Sequence, residues 1–457
     1  MKVGIVGGGI TGLTTAYRLL RAGHQATIFE AAPLLGGLAA STQVQGVWVD
    51  KFYHCILPSD TALLSLVAEI GLGDDIYWQE TEMGFLCQGR LYPLTTPTDL
   101  LRFSPLSVLD RLRLGFAGLY TRRLRSWQAL EHVTAQDWLT RFCGERAFNT
   151  VWKPLLTFKF GDQWQQAPAT YLWARVKRQG STRQGRSAKE RLAYVKGGFK
   201  AILERLADEV RGLGGTIHTA TPVDRIAADG SSVHGLTIRG HLQRFDKVVA
   251  TVPLVQFLRL IDPELLGEPL RPDTVSYQAA VCVMLVLKKR LSRYYWIPVV
   301  DSAASFSGIV ETTNLIRSED LNGIHLVYLV NYVPREDPLF SADPDALIDK
   351  LTGELGRLVP TFTTAQILES HVFKAAFVEP VWTLNYSARM PRRAFLNDSL
   401  FLLTTAQLYP AINSTSNCVQ QVADVMRQLA SPPDSHGQHR FAQSATGAES
   451  PRDPRPR

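Results

Sequence analysis

The sequence predicts an α/β protein with an inserted α+β domain that contains a helical region. Three observations support this prediction. A strand, a glycine cluster, a helix and a second strand follow one another within residues 2–30. Residues 93–191 have helical spacing with few strand signals, and residues 278–377 mix β runs with a helical stretch. Apolar strands at 247–252 and 400–403 return the chain to the first domain, which we expect to be Rossmann-like.

The remaining elements are read from caps, glycines and apolar spacing. They are a helix that begins near Asp60, a helix from Gly198 to Leu213, short strands at 216–219 and 233–238, and a last helix over about 416–429. Residues 431–457 hold five prolines among polar residues, too little apolar content to fold. We expect this segment to be a disordered tail.

Composition excludes several classes of protein. A chain of 457 residues with 45% hydrophobic content is larger than one ordinary core needs. The five cysteines lie far apart with no CxxC pair, so neither a disulfide framework nor a metal site is predicted. No apolar run reaches the roughly 20 residues that cross a bilayer, and no secretory signal is visible. We expect a cytoplasmic protein, with peripheral membrane contact left open.

The glycine cluster Gly7-x-Gly9-x-x-Gly12 stands directly after a strand and opens a helix. In this context the first glycine permits a tight turn, the second lets a pyrophosphate approach the backbone, and the third lets helix and strand pack closely. Phosphates then lie at the helix N-terminus, near Ile10 and Thr11, where free N–H groups favour negative charge. The cluster therefore predicts a dinucleotide site.

An acidic residue follows where a ribose would lie. Glu30 ends the second strand, 18 positions after the third glycine, and can accept hydrogen bonds from a ribose diol. The segment from Glu30 through Gly36, Gly37 and Leu38 resembles the extended flavoprotein signature, in which a glycine pair brings the backbone against FAD. The chain is thus similar to the superfamily of FAD-dependent amine oxidases, protoporphyrinogen oxidases and phytoene desaturases. This resemblance implies a GR2-type flavoprotein with non-covalent FAD.

Further blocks extend the resemblance toward the C-terminus. Residues 248–253 resemble the strand that returns the chain to the second domain, and 221–226 resemble a strand whose valine, here Val223, contacts the adenine through its backbone. Thr405 stands where the family places an aspartate near the flavin ribityl chain, and a hydroxyl can still hydrogen-bond there. The segment through Asn413 then opens a helix whose N–H groups could face the flavin pyrimidine.

The resemblance also implies how the chain divides. The FAD-binding domain is expected to be discontinuous, over residues 1–92, 193–255 and 378–430. The substrate domain is expected over residues 93–192 and 256–377, as a helical insertion plus a sheet.

One candidate catalytic residue lies in the N-terminal third. Residues 50–54, Asp-Lys-Phe-Tyr-His, resemble the D-x-G-x-H stretch that lies against the isoalloxazine in UDP-galactopyranose mutases, although Phe52 replaces the glycine. His54 could position substrate or tune flavin N5. The alternative is that Tyr53 and His54 complete the end of a strand.

Three aromatic residues near the C-terminus are further candidates. Trp382 and Tyr386 precede the last strand, and Tyr409 precedes the helix that we expect to face the flavin. In this superfamily the region often walls the substrate cavity with aromatic side chains. Structural packing is the alternative for each of the three.

Two basic clusters lie in the helical region. Residues 173–191 contain seven basic residues and one acidic residue, which is +6 of the net +7. The second cluster consists of Arg111, Arg113, Arg122, Arg123 and Arg125. A solvated face would explain both; otherwise they favour an anionic or amphiphilic small-molecule substrate, or docking at a membrane surface. No nucleic-acid recognition motif accompanies the charge, so we expect no nucleic-acid partner.

Three functions fit these observations. The leading hypothesis is an FAD-dependent oxidoreductase, an oxidase or dehydrogenase that takes a hydride from an organic substrate. The second is a redox-neutral mutase or isomerase resembling UDP-galactopyranose mutase. The third is a nucleotide-binding regulatory or assembly protein, suggested by the altered C-terminal block.

Overall fold

The computed structural model describes residues 1–182, 189–267, 270–301 and 303–431. The tail predicted over 431–457 lies outside these residues beyond Ser431. Arg183 and Arg186 of the basic segment also lie outside them.

The described strands, in chain order, are β1 Lys2–Val6, β2 Gln25–Phe29, β3 Ser41–Val44, β4 Val47–Asp50, β5 Ile76–Thr81, β6 Gly84–Cys87, β7 Arg90–Pro93, β8 Glu190–Val195, β9 Thr216–His218, β10 Arg225–Ala228, β11 Val233–Ile238, β12 His241–Arg244, β13 Lys247–Ala250, β14 Tyr277–Leu287, β15 Trp296–Pro298, β16 Gly308–Glu311, β17 His325–Val333, β18 Ile367–Pro380, β19 Ala394–Phe395 and β20 Leu400–Leu402. The described α-helices are α1 Ile10–Arg21, α2 Thr61–Glu69, α3 Pro97–Arg102, α4 Val108–Arg123, α5 Ala135–Cys143, α6 Glu145–Ala147, α7 Lys153–Phe160, α8 Ala169–Gly180, α9 Gly198–Gly212, α10 Leu254–Leu260, α11 Pro338–Ser341, α12 Pro344–Leu358 and α13 Thr415–Ala430.

The first sheet has six strands in the order β19-β20-β13-β1-β2-β9. β20, β13, β1, β2 and β9 run parallel, and only the edge strand β19 is antiparallel. Strands from the beginning, middle and end of the chain therefore meet in one sheet, as expected for a discontinuous Rossmann-like domain. Because the strands are parallel, the loops after β1, β2, β13 and β20 gather at one edge.

Helices cover one face of the first sheet and a small β-sheet covers the other. The apolar spacing of α1 buries Leu13 and Ala16 in a core shared with Ile202 of α9 and Val422 of α13. On the opposite face, the antiparallel sheet β10-β11-β12 buries residues such as Leu236. Both faces of the parallel strands are thus shielded from water, as such strands require.

The helical region leaves and rejoins the fold at two adjacent strands. Helices α3 to α8 lie between β5–β7 and β8, and β8 pairs antiparallel with β5 from Ile76↔Val195 to Thr81↔Glu190. The predicted helical character of 93–191 is confirmed except at its end, where Glu190 already begins a strand. No spacing signal marked β5 to β7, because each is short and lacks a clean alternation of polar and apolar residues.

The second sheet is antiparallel, in the order β15-β16-β17-β14-β18. Its outer face packs against α12, with Val283 and Leu329 beside Leu351 and Leu355. Its inner face, which includes Cys282, Met284, Tyr328 and Phe373, joins the core that also contains α1 and α9. The inner face is therefore the side of the second sheet turned toward the first sheet.

Candidate active site

The turn between β1 and α1 is held by contacts that exclude side chains. Gly7 has a φ of +108°, in the region that favours glycine. A Cβ on Gly12 would lie 2.0 Å from the Gly7 carbonyl oxygen. Thr251, which follows β13, donates its hydroxyl to the Val6 carbonyl at 3.0 Å. Gly7 and Gly12 are therefore required by the geometry of the turn itself.

Gly9 differs from its two neighbours because the space beside it is open. A Cβ on Gly9 would meet no atom closer than the Gly36 carbonyl oxygen at 3.8 Å, and a Cβ on Gly37 would meet only the Gly9 Cα at 3.8 Å. The Gly36 N–H donates to the Gly8 carbonyl at 3.0 Å and ties the two loops together. We call the glycine turn, Glu30 and the Gly36–Gly37 pair the cradle. Beside Gly9 and Gly37 the nearest atoms are backbone atoms.

The first turn of α1 supplies free donors to the cradle. Gly9 caps the helix without a side-chain hydrogen bond, and the first intrahelical bond runs from the Leu13 N–H to the Gly9 carbonyl. The N–H groups of Ile10 and Thr11 therefore have no helical partner. The Thr11 hydroxyl contacts the thiol of Cys418, and burial raises the pKa of that thiol to about 11. Cys418 is thus a neutral packing residue of α13.

Glu30 is held at the edge of the cradle, and its carboxylate can accept further hydrogen bonds. Its Oε2 accepts from the Gly8 N–H at 2.6 Å, and its Oε1 accepts from the Ala32 N–H at 2.8 Å. A carboxylate has about four acceptor sites, so about two remain for hydroxyl donors. Val223 lies in the loop before β10, and neither its N–H nor its carbonyl is hydrogen-bonded to a described residue. Leu38 is half-buried directly after the glycine pair.

The C-terminal block lies at the same edge of the first sheet. Thr405 lies three positions after the end of β20 and is half-buried. Asn413 precedes the cap of α13, where Ser414 Oγ accepts from the Asn417 N–H at 3.2 Å. The Asn413 side chain is already engaged, because its Nδ2 donates to the Val378 carbonyl at 3.0 Å. The Oδ1 acceptor and the backbone of Asn413 are therefore the groups left for a contact with a cofactor.

His54 lies beside the start of α9. Its Nδ1 donates to the Phe52 carbonyl at 2.8 Å, and its ring centroid is 4.6 Å from that of Phe199. The neighbouring Asp50 carboxylate is buried at the start of α9, where it accepts from the Tyr194 hydroxyl at 2.7 Å. Burial raises the pKa of Asp50, while nearby His54 and the Tyr194 hydrogen bond oppose that shift. The Asp-to-His stretch therefore packs against Gly197 and Gly198 at the start of α9, which we call the central glycine pair.

The three predicted aromatic residues come together, but in the protein interior. The Tyr409 ring lies 4.9 Å from Trp382 and 5.2 Å from Tyr386, and each side chain is at most 6% exposed. Tyr386 donates its hydroxyl to the Ala406 carbonyl at 2.9 Å, and Trp127 of the helical region packs edge-on at 5.3 Å from Tyr409. These are packing contacts, the alternative considered from the sequence. A role of these three residues at a substrate stays a prediction.

A polar cluster on the inner face was missed by sequence reasoning. Lys159 of α7 forms an ion pair with Glu379 of β18 at 2.9 Å, with side chains 13% and 8% exposed. The Lys159 ammonium lies 4.6 Å from the centre of the Tyr332 ring, and the Tyr53 side chain neighbours that of Tyr332. Asn413 Nδ2 approaches the same Glu379 carboxylate at 3.4 Å. The cluster therefore links the second sheet to the C-terminal block.

The basic segment is largely occupied by intramolecular contacts. Arg178 pairs with the buried Asp60 at 3.1 Å, Lys177 donates to the Arg122 carbonyl at 2.9 Å, and Lys189 pairs with Glu82 at 3.0 Å. The guanidinium of Arg191 lies 5.2 Å from the centre of the Trp78 ring. Within the part that the structure describes, this segment is fixed to the fold.

The cradle fits FAD in shape and chemistry. Gly9 and Gly37 leave room at the backbone for a pyrophosphate, and the N–H groups of Ile10 and Thr11 favour its charge. Glu30 keeps acceptor capacity for a ribose diol, and Val223 offers an unpaired donor and acceptor to an adenine. These are the groups that would hold the adenosine half of the cofactor.

A family model described as flavin containing amine oxidoreductase matches residues 10–398. The 15-cis-phytoene desaturase of Glycine max is 23% identical over 414 residues, 82% of this chain and 70% of that protein. The coproporphyrinogen III oxidase of Staphylococcus aureus is 26% identical over 290 residues, 56% of this chain and 61% of that protein. Matches to desaturases of Synechococcus elongatus and Arabidopsis thaliana span only 37% and 15% of those proteins.

Solved structures share the fold at low sequence identity. An oxidoreductase from Methanosarcina mazei has a TM-score of 0.72 and 18% identity, over 93% of this chain and 100% of its own. Reduced UDP-galactopyranose mutase has a TM-score of 0.71 and 15% identity, over 94% of this chain and 98% of its own. The predicted α/β class is confirmed, and the family model covers most of the chain. The chain therefore belongs to the flavin-containing amine oxidoreductases.

Proposed function

We propose that the chain removes a hydride equivalent from an organic substrate placed between the cradle and the inner face. The observation that supports this reading is an aromatic inner face next to the largely buried ion pair Lys159–Glu379. Bound FAD would accept the hydride equivalent at its N5 atom. The protein contributes orientation, exclusion of water and fixed charge, so a dedicated general base is not needed.

The proposed substrate has an apolar body and an anionic group. The apolar body is suited to the rings along the inner face, because Phe373 and Tyr332 are only half-buried. The anionic group is suited to the cations beside those rings. Lys51 lies 5.9 Å from the centre of the Phe373 ring, and Arg335 lies 5.7 Å from that of Phe377. Cations placed over aromatic faces keep their charge available to a ligand on the opposite side.

The charge of Lys159 has a positioning role in this proposal. Glu379 compensates the ammonium and holds it against the Tyr332 ring, so the side chain has one preferred place. A carboxylate arriving with substrate would share this ammonium and exclude water from the site. Desolvation strengthens such an interaction because the effective dielectric constant falls.

Flavin absorbance tests the proposal directly. The purified protein is expected to show an oxidised flavin spectrum that acid precipitation releases into the supernatant, as non-covalent binding requires. Under anaerobic conditions, amines, carboxylated porphyrinogens and polyenes are added in turn. We expect bleaching with a substrate that combines an apolar body with a carboxylate. Persistent oxidised flavin with all three classes would contradict the proposal.

A redox-neutral mutase is the second candidate. The observation that favours it is the placement of His54 against Phe199, beside the central glycine pair, in the stretch that resembles the mutases. Such an enzyme would turn over a nucleotide sugar only after chemical reduction of the flavin. We expect no isomerised product from UDP-galactopyranose with either oxidised or dithionite-reduced protein. Product formed only by the reduced protein would favour the mutase.

A further inference from the structure

The exposed apolar side chains of this protein are concentrated in one place. Most of the large apolar residues with high exposure belong to α4 and the segments beside it. They are Leu101, Val108, Leu109, Leu112, Phe116, Leu119, Tyr120 and Val133. On α4 itself the exposed fractions range from 38% for Tyr120 to 65% for Val108. Contiguous apolar patches of this kind on a folded protein mark interaction surfaces.

Helix α4 turns its apolar side to solvent. At 100° per residue, the exposed apolar positions from Val108 to Tyr120 fall within about one third of the helix circumference. The side that faces the protein holds Asp110, Ala117 and Thr121, all buried. This is the reverse of the usual arrangement of a surface helix, whose apolar stripe faces the core. This orientation predicts that the exposed apolar side of α4 contacts an apolar environment outside the protein.

Positive charge surrounds the same apolar surface. Between residues 111 and 130 the chain has five arginines and no acidic residue. Arg111 and Arg122 flank one side of the apolar stripe and Arg113 flanks the other. Arg111 also donates to the Leu101 carbonyl at 2.5 Å, which fixes α3 against α4. An apolar stripe bordered by arginines is the pattern of helices that lie in a membrane interface.

We propose that this α4 surface docks onto an anionic lipid bilayer, with the helix lying parallel to the membrane plane. The apolar side chains would enter the acyl boundary, and the arginines would contact lipid phosphates. No described helix is long and apolar enough to cross a bilayer, so the contact is peripheral. A second copy of the chain fits less well, because a two-fold interface would bring the arginines of both copies together.

Vesicle flotation tests this proposal without reference to turnover. The full-length flavin-loaded protein is mixed with vesicles of phosphatidylcholine alone or with 30% phosphatidylglycerol. We expect at least tenfold more bound protein with the anionic vesicles, and a severalfold loss in 0.5 M NaCl because salt screens the arginines. Equal recovery with both vesicle types, or no binding to either, would overturn the proposal.

Matched variants locate the surface. The double variant Leu112→Glu, Phe116→Glu changes two exposed residues of α4. The control, Leu242→Glu with Leu368→Glu, changes two residues that are 45% and 40% exposed on other elements. We expect the α4 variant to lose at least tenfold of its vesicle binding and the control to keep it, with unchanged flavin spectra in both. A control that loses binding equally, or a wild-type dimer that only the α4 variant dissociates, would contradict membrane docking.

Discussion

The cradle and the inner face lie on opposite sides of the proposed reaction, and they are built in different ways. Apart from the Glu30 carboxylate, the cradle is made of backbone: Gly7 and Gly12 are fixed by contacts within the turn, and Gly9 leaves a space. The inner face is made of side chains from distant segments, such as Lys159 on α7 and Glu379 on β18. The cradle is therefore specified by a short motif, whereas the inner face exists only after the chain has folded.

Because of this difference, we expect the two regions to respond differently to substitutions. A change in the cradle acts through steric exclusion and affects one ligand that many proteins share. A change on the inner face acts through charge and packing, and we expect it to affect the proposed substrate. The following experiments test that separation, from the largest expected effect to the smallest.

Substitutions at two glycines should distinguish the part of the cradle that maintains the turn from the part that leaves room for FAD. Gly12→Ala places a Cβ 2.0 Å from the Gly7 carbonyl oxygen, so we expect a displaced turn, loss of FAD and a loss of about 3 kcal/mol in stability. Gly9→Ala has room in the protein, so we expect a folded protein with at least a hundredfold weaker FAD binding. Thermal unfolding and flavin content measure the two effects.

Gly212→Ala is the matched control for both glycine variants. Gly212 lies at the end of α9 without a positive φ, and a Cβ added there would have no atom within 4 Å. We expect unchanged flavin content and equal or slightly higher stability, because alanine favours a helix. Full FAD retention by Gly9→Ala would contradict the expectation that FAD occupies the space beside Gly9.

Removing one member of the ion pair should damage the inner face while sparing the cradle. Lys159→Met leaves Glu379 buried without its cation, and we expect a loss of about 3 kcal/mol in stability. Substrate KM should rise at least tenfold for a carboxylated substrate, with flavin content unchanged. Lys153→Met, at an exposed position of the same helix, is the control and should change neither quantity. An unaltered KM in Lys159→Met would show that the Lys159 ammonium does not take part in binding the substrate.

The second sheet should have a stability that depends on pH through one buried acid. Glu311 accepts from the N–H groups of Leu291 and Ser292, and burial raises its pKa from 4.5 to about 7. The folded state therefore retains a proton that the unfolded state has already lost between these pH values. The contribution of Glu311 to stability is therefore greatest below about pH 4.5. It falls as the pH rises through 7, by at most about 3 kcal/mol.

Thermal unfolding of the protein between pH 5 and pH 8 measures this contribution. Glu311→Gln should flatten that part of the profile, starting from a lower stability because its amide faces backbone donors. Identical slopes for the wild type and the variant would assign the pH dependence to other groups.

The smallest effect is expected in the aromatic cluster. Tyr386→Phe removes only the hydrogen bond to the Ala406 carbonyl, so we expect a loss of about 1 kcal/mol in stability. If the cluster only packs, kcat and KM stay at wild-type values. A tenfold fall in kcat without a loss of stability would instead give the cluster a part in substrate binding.

The sequence revealed the cradle because its requirements are local. Gly7, Gly9 and Gly12 stand within six residues of one another, and a strand and a helix on either side confirm their context. The pairing of Lys159 with Glu379 spans 220 positions and has no signature in either segment. Tyr409 was correctly placed near Trp382 and Tyr386, but residue type alone does not separate a buried ring from a cavity wall. The apolar spacing of α4 likewise does not say which way the helix is turned.

The order of strands in the first sheet has a consequence for biosynthesis. β1 pairs with β13, where Val3 lies opposite Lys247, and β13 then pairs with β20, where Val248 lies opposite Leu400. During synthesis, β13 therefore has an unpaired apolar edge until residues 400–402 have been made. The glycine turn precedes β13 and β20 in the chain, so its surroundings are complete only after both strands have been made. We therefore expect the protein to bind its cofactor late in folding. A fragment that ends before residue 400 is expected to aggregate.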